Sequence, residues 1–394
     1  MSNADANYAR LSFKPETAFD ETPAAGLALK NFPYTKEGLE YDKTTEVSAE
    51  VRSDRNVEDI VPVGGDSKGT VDFELSDYAE WFDTFLAAAL MTDGITNTSA
   101  AALNDDGIVV STVSPVESQF GPPQSPPIRV GRAVVFNDLL VSGSILPSII
   151  MSRDDSDLPY SIMKVRPSLG GEGPILSGAT YGLKEIKNGK TRRSFFIEKN
   201  FTDMAKSVGY AGMMIDEFSL DITSRKLITG SMSFIGAKAY QNGGFTVATR
   251  TDTSGNVLSA SNNVGAIKCG SGTADVKSLK LKIKNNLRGQ DAVASASNTG
   301  IGVGRCEVTG TLEVYFSSMA LYDSIVAHET VSLIVGLTLG KYCLAFYLPA
   351  IKLLKGNPNV SGVNSDLMLP IEFQAKRDPF ENASIIVSTG VPIE

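Results

Sequence analysis

The residues able to do chemistry are few and badly spaced for it. The only histidine, His328, would have to serve any Ser–His–acid system, yet no Gly-x-Ser-x-Gly elbow accompanies it. It follows a helical run and reads as a solvated or capping residue. Cys269, Cys306 and Cys343 are odd in number and far apart, with none of the short spacings of a metal knuckle or redox pair. They read as buried thiols acting as small hydrophobes. Gly300-x-Gly302-x-Gly304 leads into a strand instead of joining a strand to a helix, so it reads as a flexible turn. Asp154-Asp155-Ser156-Asp157 lacks the spacing of a calcium loop and reads as an exposed turn. Carboxylates alternate along several strands, but none is set apart as an acid/base couple. The expectation is a protein with no catalytic, cofactor-binding or metal-binding residues, and not an enzyme.

The bulk numbers agree with a structural role. A chain of 394 residues exceeds what one core usually serves, which predicts two or three domains. Apolar residues make up 42% and charged ones 21%, as in ordinary globular proteins. The 36 glycines and the Asn/Ser/Thr/Asp clusters favour short strands and turns over long helices. No run approaches the ~18 apolar residues that span a bilayer, so no membrane partner is expected. Met1-Ser2-Asn3-Ala4-Asp5 lacks the basic-then-apolar pattern of a secretion signal, which predicts synthesis and folding in a cytoplasm. A net charge of −9 argues against tight nucleic-acid binding, which needs a surplus of Lys and Arg. Sliding contact is compatible with it.

The elements that carry these residues come in two similar series. In Gly38–Leu90 an alternating strand, Leu39-Glu40-Tyr41-Asp42, is followed by a polar stretch with Arg52-Ser53-Asp54-Arg55. Then come Gly64-Gly65, a second strand, Thr70–Leu75, and a helical run, Tyr78–Leu86. In Ser278–Thr330 the same order returns as Leu279–Ile283, a polar stretch through Gly300 and Gly302, Gly310–Phe316, and a helical run, Met319–Val326. Gly69-Thr70-Val71-Asp72 faces Gly310-Thr311-Leu312-Glu313, at an offset of 240 or 241 residues. The spacing predicts an internal duplication.

Closing strands follow the second series at once, at Val331–Leu339, Tyr342–Leu354 and Asp366–Lys376. After the first they are expected only at Arg193–Phe201, Met213–Thr223 and Leu227–Lys238. The predicted organisation is a discontinuous first unit (1–97 and 191–240), a small β insertion (98–190), a Gly/Ser/Asn/Thr-rich linker (241–275) and a second unit (276–394). The insertion holds Pro122, Pro123, Pro126 and Pro127, a strand-like run at Ile128–Phe136, and Asn188-Gly189, a two-residue hairpin signal. The fold class expected is mainly β, with one helix per unit.

Alternation sends Val71, Phe73 and Leu75 to one face and Asp72 and Glu74 to the other; Leu312, Val314 and Phe316 likewise oppose Glu313. A helix with Trp81, Phe82, Phe85 and Leu86 at helical spacing is expected to cover the first apolar face. The opposite face is wet and mainly acidic, through Glu40, Asp42, Asp72, Glu74, Asp221, Glu313, Asp366 and Glu372. Lys280, Lys282 and Lys284 interrupt it.

The run Tyr41–Arg55, continuing through Val63-Gly64-Gly65 and Val71–Leu75, resembles the major tail tube proteins of long-tailed bacteriophages. Glu21-Thr22-Pro23, Phe195–Lys199 and Asn285-Asn286-Leu287-Arg288 are similar to that family too. The order of these stretches is the specific part, and the likeness is weakest over the insertion. The resemblance implies sandwich-like β units with one helix, six to a ring, whose inner strands form a barrel. Stacked rings form a tube that conducts DNA during ejection, located in the virion tail. It further implies that the eight carboxylates line a lumen. Hairpins at Glu46–Val63 and Arg288–Gly304, carrying Arg52, Asp54, Arg55, Arg288 and Asp291, would reach the next ring. With two units per chain, the expected partner is the chain itself, as a homotrimer per ring, with other tail proteins at the tube ends and DNA only in transit. The alternative is a tail-tip or host-binding (adhesin-like) structural protein.

Overall fold

A computed structural model describes residues 5–390 apart from 22, 24, 77–79, 95, 100, 242–243, 254, 271–274, 340–341 and 359–361. Between 101 and 179 only strand residues are described, and the side chains of 80, 95–183, 265–266 and 339–342 are not. The fold is mainly β.

One group of elements comprises β1 (Ala9–Pro15), β2 (Glu40–Val47), β3 (Ile60–Glu74), α1 (Glu80–Ala89), β4 (Phe195–Phe201), β5 (Lys206–Thr223), β6 (Thr229–Ile235) and β7 (Lys238–Gln241). The other comprises β8 (Val264–Cys269), β9 (Val276–Lys284), β10 (Glu307–Tyr315), α2 (Ala320–Val326), β11 (Thr330–Leu339), β12 (Tyr342–Gly356), β13 (Met368–Ala375) and β14 (Ile386–Gly390). The first group pairs antiparallel in the order β1-β4-β5-β6-β3-β2, with β7 also on β5. The second pairs as β8-β11-β12-β13-β10-β9, with β14 on β12. Two β-bulges recur at the same steps. One lies at Phe195/Ile197 and at Val331/Leu333; the other lies at Ile215/Glu217 and at Leu353/Lys355. A bulge bends its strand, and in both groups it lets one long strand, β5 or β12, serve two layers of a sandwich.

The two groups join edge to edge. The C-terminal half of β5 pairs antiparallel with β9, from Glu217 opposite Lys284 to Thr223 opposite Ser278. One continuous sheet therefore runs β2-β3-β6-β5-β9-β10-β13-β12. Its apolar side is buried, with Val71, Phe73, Leu279, Leu281, Ile283, Leu312 and Val314 at 2% exposure or less. Matching Gly–Phe pairs cross it, Gly69 opposite Phe234 and Gly310 opposite Phe373. A Cβ at Gly310 would collide with the Lys280 carbonyl and the Phe373 ring, so glycine alone lets those strands close.

Helix α1 sits on β5, and α2 sits on β12. Phe85 of α1 is fully buried within an aromatic cluster, its ring centroid 4.5 Å from Phe13, 4.8 Å from Phe195 and 5.2 Å from Phe32. Asp83, on the same helix, is held by Lys184 at 2.6 Å in a mostly buried ion pair. Only Leu321 of α2 is buried, so the second helix is the lighter cover.

Three places differ from the sequence reading. Asn188-Gly189 does not close a hairpin: the strand before it, Thr180–Lys187, pairs with β14 and not with β4. Both edges of β4 are already filled, by β1 and β5, so Thr180–Lys187 finds its partner elsewhere. Asn188 Oδ1 instead accepts the Ser384 backbone N–H at 2.9 Å. The strand expected at Ile128–Phe136 is described as Ala133–Asn137; residues 128–132 and the proline cluster lie outside the described residues. Within 241–275, Val247–Thr251 runs parallel to Leu27–Asn31, and Val264–Cys269 is β8.

Val247–Thr251 is anchored by Arg250, whose guanidinium donates to both carboxylate oxygens of fully buried Glu198 on β4, at 2.6 and 2.8 Å. Removing the cation strands a buried carboxylate. Arg250→Ala is expected to cost roughly 3 kcal/mol in equilibrium unfolding, the low end of the range because Arg250 is itself partly exposed. Arg250→Lys should recover only part, since it keeps the charge and loses the planar fork. An unchanged midpoint for Arg250→Ala would mean that water already solvates Glu198.

Candidate assembly surface

The candidate chemical residues separate in space. His328 is exposed at the end of α2, with a left-handed φ of 49°, and its carbonyl accepts from Lys352 Nζ. Burial pushes the Cys269 and Cys306 thiols up to about 11, so both stay protonated and unreactive at neutral pH. Gly300–Gly302 is a strand paired with Arg288–Gln290, and the Gly304 N–H donates to the Asn285 carbonyl. Asp154 ends a strand, while 155–157 lie outside the described residues. Among the described residues, no three His, Cys, Asp or Glu side chains gather as a metal site. No helix among them is long and apolar enough to cross a membrane.

What the fold does gather is the wet side of the eight-strand sheet. Even-numbered residues of β3 from Gly64 to Glu74 point there, and so do Glu217 and Asp221 of β5, Lys280, Lys282 and Lys284 of β9, Glu313 of β10 and Glu372 of β13. Seven of the eight carboxylates singled out above sit on strands of this sheet. Asp366 is exposed in the loop before β13. The face is less one-sided than its sequence suggests, because register sets cations against anions. Lys68 pairs with Asp42, Lys280 with Asp221 at 3.2 Å, Lys282 with Glu217 at 2.6 Å, Lys277 with Glu313 at 3.3 Å and Lys355 with Glu372 at 3.5 Å. Hydrogen bonding to Asp42 holds the Lys68 ammonium above the ordinary lysine range. Glu40, Asp72 and Glu74 make no ion pair among the described residues. These exposed pairs add little stability, and their weight lies in which strands they let meet.

The two hairpins behave differently. The β2–β3 hairpin projects from the sheet, and Val47, Val51, Val57 and Ile60 around its tip are all more than half exposed. Arg52 bridges Asp54 and Glu58 across that tip, and Arg55 takes a left-handed φ of 60°. Its hydrogen bond with Arg52 holds the Asp54 carboxyl down at about 2. The tip is thus organised by itself, and among the described residues nothing covers it. The segment from Asn285 to Gly304 instead lies against the first group. The Gly65 N–H donates to the Ala296 carbonyl at 2.8 Å, the Asn298 N–H to Asp66 Oδ1 at 2.9 Å and the Leu287 N–H to Asp216 Oδ1 at 2.7 Å. Asn285 is buried and donates to the Ala89 and Ile215 carbonyls. Arg288 and Asp291 are exposed on this docked hairpin, while Arg52, Asp54 and Arg55 are exposed on the projecting one.

Sequence reasoning missed the β5–β9 joint and the docking of 285–304. A signal for the joint was present, since acidic Glu217 and Asp221 find lysines at the same alternation in β9. Two sheet edges and the second helix carry exposed apolar side chains: Tyr41 on β2, Leu354 on β12, and Met319 and Val326 around α2.

A family model described as phage tail tube protein matches residues 6–375. A search of curated proteins found no match.

Proposed function

The chain belongs to the phage tail tube protein family and is a structural subunit of a virion tail; on that premise we propose that each molecule fills two neighbouring positions of a ring, so that three molecules close it. The observation that carries this reading is the β5–β9 joint, through which two strand groups of the same order, with bulges at the same steps, share one eight-strand sheet. Three molecules then supply three times eight, or 24, strands. At the usual spacing of about 4.8 Å and a tilt near 40°, 24 strands close a barrel about 48 Å across at the backbone. Six molecules would double that to roughly 95 Å, far wider than passage of one duplex needs.

In this ring the wet face lines the lumen, with Glu40, Asp42, Asp72, Glu74, Asp221, Glu313, Asp366 and Glu372 on or beside it. Carboxylates outnumber lysines there, so the field repels phosphate and lets DNA slide, while the ion pairs keep that field mild. The role is structural and needs no catalytic group. The projecting β2–β3 hairpin is the contact to the next ring, and rings stack through it. Other tail proteins meet the tube at its ends.

Electron cryomicroscopy of assembled tubes tests the count. Expected is true threefold symmetry at the outer surface, where residues 98–190 break equivalence, around a near-sixfold lumen. Six chains per ring overturns the reading.

A further inference from the structure

The joint inside the molecule is a template for the joint between molecules. In it, β5 contributes carboxylates just after its bulge, Glu217 and Asp221, and β9 contributes lysines. Glu217 lies opposite Lys284 and forms its ion pair with Lys282; Asp221 lies opposite Lys280. The same place after the bulge of β12 is held by Lys355. On the other side, Lys282 and Lys284 lie opposite Thr309 and Glu307 of β10. Counting from the matched Gly–Phe pairs, the same places on β3 are Lys68 and Asp66, whose partners on β2 are Glu40 and Asp42. Three charges at the template are therefore inverted at the two free edges: Lys355 stands in the place of Glu217, and Glu40 and Asp42 stand in the places of Lys282 and Lys284.

The apolar side matches as well. Opposite Phe218 in the template is Ile283, fully buried; the same places hold Gly356 on β12 and Tyr41 on β2. Tyr41 is 42% exposed in the single chain. A glycine opposite a large ring is the arrangement already used three times within this sheet, at Gly69–Phe234, Gly230–Phe73 and Gly310–Phe373.

We infer that β12 of one molecule pairs antiparallel with β2 of a second copy, Lys355 lying opposite Asp42 and within reach of Glu40, and that the inverted charges make this joint distinct from the one inside the molecule. This rests on the ring reading above and adds its register and its order. The alternatives repel: β5 against β2 sets Glu217 beside Glu40 and Asp42, and β12 against β9 sets Lys355 beside Lys282 and Lys284. Like charges directly opposite across strands are destabilising, and repulsion against the wrong partner is an effective source of specificity. First and second groups can only alternate around the ring.

Two experiments on the full-length chain test this. With Asp42→Cys and Lys355→Cys combined, oxidation should produce disulfides between molecules, because directly opposed antiparallel positions lie within disulfide reach. The non-reducing ladder should stop at the trimer. Tubes of normal symmetry in which these cysteines stay reduced overturn the register while leaving the ring reading intact; six-chain rings overturn the ring reading itself. In the second experiment, Glu40→Lys with Asp42→Lys should lose rings and tubes, with an unchanged far-UV spectrum and melting temperature, and adding Lys355→Glu should restore them. Failure of that rescue with the subunit folded counts against the charge inversion.

Discussion

Replacing Ser48–Asp59 by a two-residue Asn-Gly turn is expected to leave folded subunits and rings but to abolish tubes. Val47 and Ile60 are direct cross-strand partners, so the ladder of β2 and β3 can be closed at that point by a tight turn. The removed tip makes its ion pairs with itself, Arg52 to Asp54 and Glu58, and its apolar side chains are exposed, Val51 at 97%. Its deletion should therefore leave thermal unfolding nearly unchanged. In the proposed tube, by contrast, stacking would use the hairpin at every junction between rings, so its removal should weaken all of those junctions at once. Negative-stain imaging separates the outcomes: isolated rings are expected, and tubes of normal length would show that stacking uses another surface.

Phe85→Ala should have the largest effect on a single subunit. The ring is fully buried between Phe13, Phe32, Phe195 and Phe234, contributed by strands and loops from distant parts of the chain. Truncation removes the ring and leaves a cavity that these rigid neighbours cannot fill, which costs about 4 kcal/mol. The single tryptophan, Trp81, lies 6.3 Å from Phe85, so its fluorescence reports unfolding at this place. The urea midpoint read by Trp81 should fall sharply with little change in slope. Leu321→Ala in α2 should cost about half as much, because that residue is the only buried side chain of its helix and is still 8% exposed. Equal effects from the two would mean that α1 and α2 cover their sheets equally.

Much of the candidate surface was legible from the residues. Alternation separated Val71 and Phe73 from Asp72 and Glu74, and the structure buries the first pair and leaves the second partly exposed. Both helical runs formed at the places their spacing indicated, α1 continuing to Ala89. Gly69 and Gly310 were aligned by sequence, and each faces a phenylalanine in the sheet. The alignment of the preceding strand was off by two. Glu40 was set against Lys280 by the offset of 240, whereas hairpin register puts it where Lys282 stands. A shift of two leaves every residue on its own face, so alternation could not reveal it.

The sequence by itself determined which side chains share a face and where strands and helices lie in order. These are local properties, carried by a period of two or 3.6 residues along one stretch of chain. Only the tertiary structure decided which edges meet. Strand Thr180–Lys187 went to β14 because β4 had no free edge, and β5 found β9 because the bulge at Glu217 turned its second half into the wet sheet. It also decided that one hairpin docks on its own chain while the other stands free. An edge offers the same backbone donors and acceptors to every strand, so its partner is chosen by what the whole fold leaves open. That choice joined the two strand groups into one sheet and left β2 and β12 as its ends.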